Sequence, residues 1–258
     1  MIESKLVQKF GNGGHIVLPK EYVGKRIKFV AEPKNFDDIK PEILQILNPY
    51  LDNIIGIYLY GSYSRNEQTI SSDVDVLVVT NTKLKIIYKA NDYSIISITL
   101  KELEETLNKN PILVLPIIKD AKTIINPDLL EKYKEFEFTK NNTKYFIDSS
   151  MQILELNKKG AELGFELGSL VYSLILRIRG LLIIKLMIED KSYSKACLLN
   201  FLEKNYLSKD KSAELYEIYS KERSNLKIRE SKIINKEDVK KLIVTMEKLL
   251  REVASSLK

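Results

Sequence analysis

The sequence predicts an α/β (α+β) unit on a mixed sheet, preceded by a short β-hairpin and followed by an all-α helical bundle. Three observations predict it. β-Branched, strand-like runs alternate with helical patterns between residues 37 and 140. From about Asp148 onward apolar residues recur at helical spacing instead, which sets a bundle at 148–258. Residues 1–32 hold a Gly/Asn turn between two short runs, the pattern of a hairpin.

Composition bounds the function classes. The chain has 258 residues and 44% hydrophobic content, enough for sizeable cores and too much for a disordered segment. One cysteine, Cys197, and one histidine, His15, exclude an internal disulfide, a Cys-based zinc site and clustered-His metal sites. A reduced, cytoplasmic protein is expected. Leu167 to Ile188 approaches membrane-span length, but Arg177, Arg179 and Lys185 would be costly in lipid, so a buried helix and no membrane partner are expected. The net charge of +6 is spread along the chain; it permits an anionic partner without demanding one.

The elements follow in order. Lys5–Phe10 and His15–Leu18 read as strands around Gly11-Asn-Gly-Gly14, and Arg26–Val30 as another short strand. Asp37 or Asp38 caps a helix carrying Ile39, Ile43 and Leu47, closed by Pro49. Asn53–Tyr60 is a strand running into Gly61-Ser62, and Asp73–Thr80 a second, with Val74, Val76 and Val78 on one side. A third strand, Tyr93–Thr99, precedes a helix over Lys101–Leu107. Ile112–Ile118 stays ambiguous between buried helix and strand, and Thr123–Ile125 adds a short strand before a helix from Pro127. Helices over Leu198–Leu207, Ala213–Lys227 and Glu237–Leu250 complete a bundle of four or five. Gly160, Gly164 and Gly168, four apart, are expected on one helix face, and Cys197 in the core.

One segment carries chemistry: Gly61-Ser62-Tyr63-Ser64-Arg65, then Asp73-Val74-Asp75. Residues two apart on a strand project to the same face, so Asp73 and Asp75 stand side by side. Two such charges repel on a half-buried surface unless a cation lies between them, and oxygen-only donors suit magnesium, with manganese the alternative. A strand running into Gly-Ser and a helix start exposes N–H groups that cradle phosphate; Ser62 adds a hydroxyl and Arg65 a guanidinium. Glu67 is the acid that Arg65 would otherwise pair with. No Walker-type loop or Gly-x-Gly-x-x-Gly fingerprint is present.

Gly61-Ser62-x-x-Arg65 with Ser72-Asp73-x-Asp75 resembles the signature of the DNA polymerase beta-like nucleotidyltransferases, in particular their minimal and aminoglycoside-type branch, over roughly Asp37 to Tyr133. The resemblance implies that Asp73 and Asp75 bind two magnesium ions and that Gly61 and Ser62 hold the triphosphate. An acceptor group then attacks the α-phosphorus and pyrophosphate leaves. A third carboxylate usually follows on a later strand. The alignment puts Ser94 there, and Asp92, two residues earlier on the same face, takes the catalytic place if the register shifts. The bundle resembles the helical domain of aminoglycoside nucleotidyltransferases and HEPN domains; it holds no histidine for the HEPN ribonuclease motif. Its expected jobs are acceptor binding or dimerisation, and Arg177 and Arg179 would suit an anionic substrate facing the sheet. Lys221, Arg223, Lys227 and Arg229 are expected on solvated helix faces. Lys9 to Lys20 is similar to the swapped-hairpin DNA binders of the AbrB type, which implies a dimer and places Lys20, Lys25, Arg26 and Lys28 against DNA phosphate.

The expected function is therefore magnesium-dependent transfer of NMP, AMP from ATP foremost, from a nucleoside triphosphate to a hydroxyl on a protein or small molecule. A nucleotide-sensing or DNA-binding regulator that has lost turnover is the alternative.

Overall fold

The structure, a computed structural model, describes residues 5, 7–70, 72–86, 88, 92–205, 208–223 and 234–257. The expected helix ends at Leu207 and at 224–227, and the basic residues Lys227 and Arg229, lie outside them.

The hairpin forms from β1 (Gln8–Phe10) and β2 (Gly13–His15), paired antiparallel around Gly11 at φ +56°. Both strands are shorter than expected, and 26–30 has no regular structure. Those residues carry strand-like side chains but have no strand to pair with among the described residues, and an unpaired strand is not stable alone. Large apolar side chains here stay in solvent: Phe10, Val23, Phe29 and Val30 are each at least 73% exposed.

Asn35 and Asp38 then close a reciprocal capping box at the start of α1 (Phe36–Leu47). Ile39, Ile43 and Leu47 recur every four residues, so one face of α1 is wholly buried. It lies on a four-stranded sheet of order β5-β4-β3-β6: β3 (Ile54–Tyr60), β4 (Val74–Thr80), β5 (Tyr93–Thr99) and β6 (Lys122–Ile125). β4 runs parallel to β5, and β3 antiparallel to β4 and β6, so the sheet is mixed. Strand alternation divides β4 between two cores. Val74, Val76 and Val78 pack towards α1. Leu77 and Val79 join the opposite core, which runs through α2 (Leu100–Lys109), α3 (Leu115–Asp120) and α4 (Pro127–Lys134) into the bundle without a break. The ambiguous run 112–118 is thus helical, a 3₁₀ turn continuing into α3.

The bundle comprises α5 (Lys140–Leu163), α6 (Leu167–Ile188), α7 (Lys195–Lys204), α8 (Lys209–Arg223) and α9 (Lys236–Ser256) among the described residues. α5 starts eight residues before Asp148. Its first turns are polar, so no apolar period marks them; instead Thr139 and Asn142 form a capping box and Thr143 is buried. The apolar helix α6 is the bundle's centre, with Val171, Leu174, Ile175, Ile178 and Leu181 fully buried. The glycine series does not share a face. Gly160 lies in α5, Gly164 ends that helix at φ +77°, and Gly168 belongs to α6. Close helix approach occurs at Gly180, whose absent Cβ would sit 2.4 Å from Phe146 Cζ. Cys197 is half-buried, not core: its backbone N–H donates to the Ser194 hydroxyl capping α7.

Candidate active site

The site sits where β3 ends and β4 begins. Their antiparallel register sets Tyr60 opposite Asp75, and the chain leaves β3 through Gly61 at φ +79°. A side chain on Gly61 would place its Cβ 2.2 Å from Asp75 Oδ2, so the carboxylate occupies the space that only glycine leaves open. Residues 61–66 then form successive turns rather than the expected helix start. The turns have their own anchors. Ser64 Oγ donates to the Gly61 carbonyl at 2.9 Å, Tyr63 is buried on the α1 side, and Lys122 of β6 donates to Asn66 Oδ1 at 2.8 Å. Asn66 itself takes φ +57°, a left-handed conformation that cannot continue a right-handed helix.

Asp75 lies on the same face of β4 as Leu77 and Val79, the face turned to the bundle, and Asp73 has the same parity. Asp73 is exposed and Asp75 half-buried. Burial first, then the neighbouring Asp73 charge, push the Asp75 carboxyl up to about 6; Arg223, a hydrogen bond from Ser94 and Arg65 act the other way. The parallel β4–β5 register settles which residue stands beside Asp75: it is Ser94. The pairing begins one residue earlier, at Val74 and Tyr93, and just before it the Asp92 carbonyl accepts the Val74 N–H at 2.8 Å, which keeps Asp92 at the same edge as Asp73. Asp92 is exposed.

Arg65 is engaged by two acids. Its Nε lies 3.0 Å from Glu67 Oε2, as its sequence neighbourhood suggested, and its Nη1 lies 3.6 Å from Asp120 Oδ2 at the end of α3. Burial holds the Asp120 carboxyl above the usual carboxylate range despite Arg65, and Ser192, between α6 and α7, donates to it. The bundle therefore reaches the site. Arg223 at the end of α8 is exposed, yet it is close enough to Asp75 and Tyr60 to oppose the upward push on both groups, so it is not merely a solvated helix residue. Of the two α6 arginines, Arg177 turns away to stack on Phe146 of α5, and Arg179 turns to Tyr193, 5.4 Å from its ring centre.

Sequence reasoning missed Asp120 and underrated Arg223. Neither lies in a motif, and only folding brings α3 and α8 to the edge where β3 and β4 meet.

The donors fit a hard divalent cation. Asp73 and Asp75 converge through oxygen alone, their mutual repulsion calls for a positive charge, and Ser94 adds a hydroxyl. The described residues hold no group of three His, Cys, Asp or Glu placed to bind a metal. A pair of carboxylates is a ligand set of the kind magnesium takes when water and substrate phosphate complete its shell.

Residues 41–131 match the family model for the polymerase beta nucleotidyltransferase domain. A protein of Methanocaldococcus jannaschii that bears the name protein adenylyltransferase is 36% identical over 95 residues, which span 35% of this chain and 70% of that one. Among solved structures, the spectinomycin adenyltransferase AAD(9) of Enterococcus faecialis, with ATP and spectinomycin, aligns with a TM-score of 0.50 at 19% identity. The match covers 83% of this chain and 100% of that chain, and it shows a shared fold extending into the helical region. The chain belongs to the polymerase beta nucleotidyltransferase family, and it is a nucleotidyltransferase.

Proposed function

We propose that the protein is a magnesium-dependent adenylyltransferase that moves AMP from ATP to a hydroxyl on a protein or small molecule. The paired carboxylates beside Gly61 carry this reading. Asp73 and Asp75 hold magnesium, which when bound neutralises phosphate charge and orients the triphosphate. Gly61 and Ser62 bring backbone N–H groups and a hydroxyl to the phosphates, and Arg65 exchanges its acidic partners for a phosphate oxygen. The acceptor oxygen forms a bond to the α-phosphorus as the bond to the β-bridging oxygen breaks. Pyrophosphate leaves with the electron pair, and Asp92, the further carboxylate at this edge, takes the hydroxyl proton.

A thermal melt with ATP and magnesium tests the binding step. A metal-dependent rise in melting temperature that disappears in Asp73→Asn is expected, with labelled AMP transfer lost in Asp73→Asn and Asp75→Asn. No rise with any triphosphate overturns the reading.

A regulatory reading has its own support. Ser94, not a carboxylate, stands beside Asp75. Residues 5–35 carry seven basic and two acidic side chains, and the described apolar residues among them join neither core. In this reading the segment pairs with a second copy and binds DNA through Lys20, Lys25, Arg26 and Lys28. Fluorescence anisotropy with a DNA duplex checks it: binding that weakens steeply with salt and is lost when the chain starts at Lys34 is the expected result, and salt-independent or absent binding refutes it.

A further inference from the structure

Across the cleft from Asp75, the bundle gathers three cations for which no ion pair with an acid is seen among the described residues. Arg179 of α6 is half-buried and lies over the Tyr193 ring, and the polar groups that act on it are the Tyr193 and Tyr219 hydroxyls rather than a carboxylate. Lys195, at the start of α7, stands 4.5 Å from the centre of the Tyr216 ring, and Tyr216 packs beside Tyr219 at 5.8 Å between ring centres. Arg223 completes the set and, with Arg179, acts on Tyr216. Glu67, which acts on Tyr216, and Asp120, which accepts from Ser192, belong to the sheet side, and Arg65 holds both. Arg179 is half-buried without a counter-charge, which is costly and only partly offset by aromatic rings, and the exposed Lys195 and Arg223 add to the positive charge beside it. The wall has the chemistry of an anion site.

We infer that the wall formed by Arg179, Lys195 and Arg223 binds an anionic group, phosphate or carboxylate, carried by the acceptor. The inference rests on the adenylyl-transfer reading and adds the acceptor's class to it. Attack and departure take place on opposite sides of the α-phosphorus in an in-line displacement. With pyrophosphate leaving from the Gly61–Ser62 turn on the sheet, the acceptor approaches from the bundle. Arg65 and Arg223 are near enough to act on Asp75, and Arg179 and Lys195 are not among the groups that act on it. An acceptor with an anionic tail places its hydroxyl inward and its charge on that second pair. A polycationic acceptor meets repulsion at the same place.

Calorimetric titration of the full chain, saturated with magnesium and a non-hydrolysable ATP analogue, tests this with inorganic phosphate and spermine as probes. Phosphate is expected to bind alongside the nucleotide, and spermine not to bind. Arg179→Gln weakens phosphate binding about tenfold, the loss typical of one charge-assisted partner, while nucleotide affinity stays within about twofold. Lys195→Gln, at an exposed position that does not endanger folding, weakens phosphate several-fold in the same direction. Phosphate that competes with the nucleotide, or nucleotide affinity that falls in step in both variants, overturns the inference, because the cations then serve the triphosphate. Spermine binding in place of phosphate overturns it as well. Failure of the wild type to bind the ATP analogue refutes the adenylyl-transfer reading separately. Phosphate affinity of the nucleotide-free wild type and variants still tests the wall in that case.

Discussion

Replacing Gly61 by alanine tests whether the β3 turn and the β4 carboxylate form one unit. Gly61 holds φ +79°, where an L-residue costs about 1–2 kcal/mol. Alanine also restricts the unfolded chain, which returns about 0.4–1 kcal/mol and leaves a net backbone cost of about 1 kcal/mol. The added Cβ would lie 2.2 Å from Asp75 Oδ2, 3.0 Å from Cγ and 3.2 Å from Cβ. Since even Cβ is crowded, rotating the carboxylate does not clear the contact, and the strand must shift. Overpacking of this kind costs about 1–3 kcal/mol, so Gly61→Ala loses about 2–4 kcal/mol in total. In an Asp75→Ala background the two nearest atoms are gone and only Cβ, at 3.2 Å, still crowds, so the same substitution costs about 1–2 kcal/mol. Urea denaturation of the four proteins of this cycle gives the coupling directly, expected at about 1–3 kcal/mol. A coupling under about 0.5 kcal/mol would show that Asp75 does not occupy the space beside Gly61, and the geometry of the site would be wrong.

Four further outcomes follow from the same structure. Asp75→Asn stabilises the metal-free protein above pH 6: a carboxyl raised from 3.8 to about 6 favours the folded state below pH 4 and loses that contribution as pH rises to 6. With half-exposure discounted, the gain is about 1–2 kcal/mol at pH 7 and vanishes at pH 3.5, read from melts in EDTA. Gly180→Ala forces a Cβ to within 2.4 Å of Phe146 and destabilises by about 1–3 kcal/mol, whereas Gly164→Ala, with open space around it, costs only the left-handed penalty of about 1 kcal/mol. Denaturant midpoints separate the two. Starting the chain at Lys34 keeps the Asn35 cap and removes no residue of either core, so the melting temperature stays within about 2 °C of the full chain; a larger drop shows packing that the structure lacks. Ser94→Ala removes a hydrogen bond to Asp75 and raises its apparent pKa, so the pH at which metal-free stability declines moves upward, measured by the same melts.

What was legible in the sequence was whatever lay within one element. Alternation in β4 announced both that Val74, Val76 and Val78 share a face and that Asp73 and Asp75 share the other; the two cores bear out the first, with Leu77 and Val79 on the opposite side. Gly61 was visible as a turn, but its second role was not, because the atom it makes room for comes from a different strand. The polar start of α5 escaped a search for apolar period; its signal was the Thr139–Asn142 capping box, a weaker pattern than the Ser/Thr-x-x-Glu form. The α6 sequence shows Arg177 and Arg179 two residues apart and alike. A helical turn of about 100° per residue sends them roughly 200° apart, one to Phe146 and one to Tyr193, so only one can face the cleft. Register between strands, and which helix end meets which strand end, carry no local period at all. Those two kinds of information decide the chemistry here. The first puts Ser94 beside Asp75, and the second brings Asp120 to Arg65 and Arg223 to Asp75. The motif thus marks the edge where Gly61 meets Asp75, while the residues that the helices bring to that edge, Asp120 and Arg223, are marked by no motif.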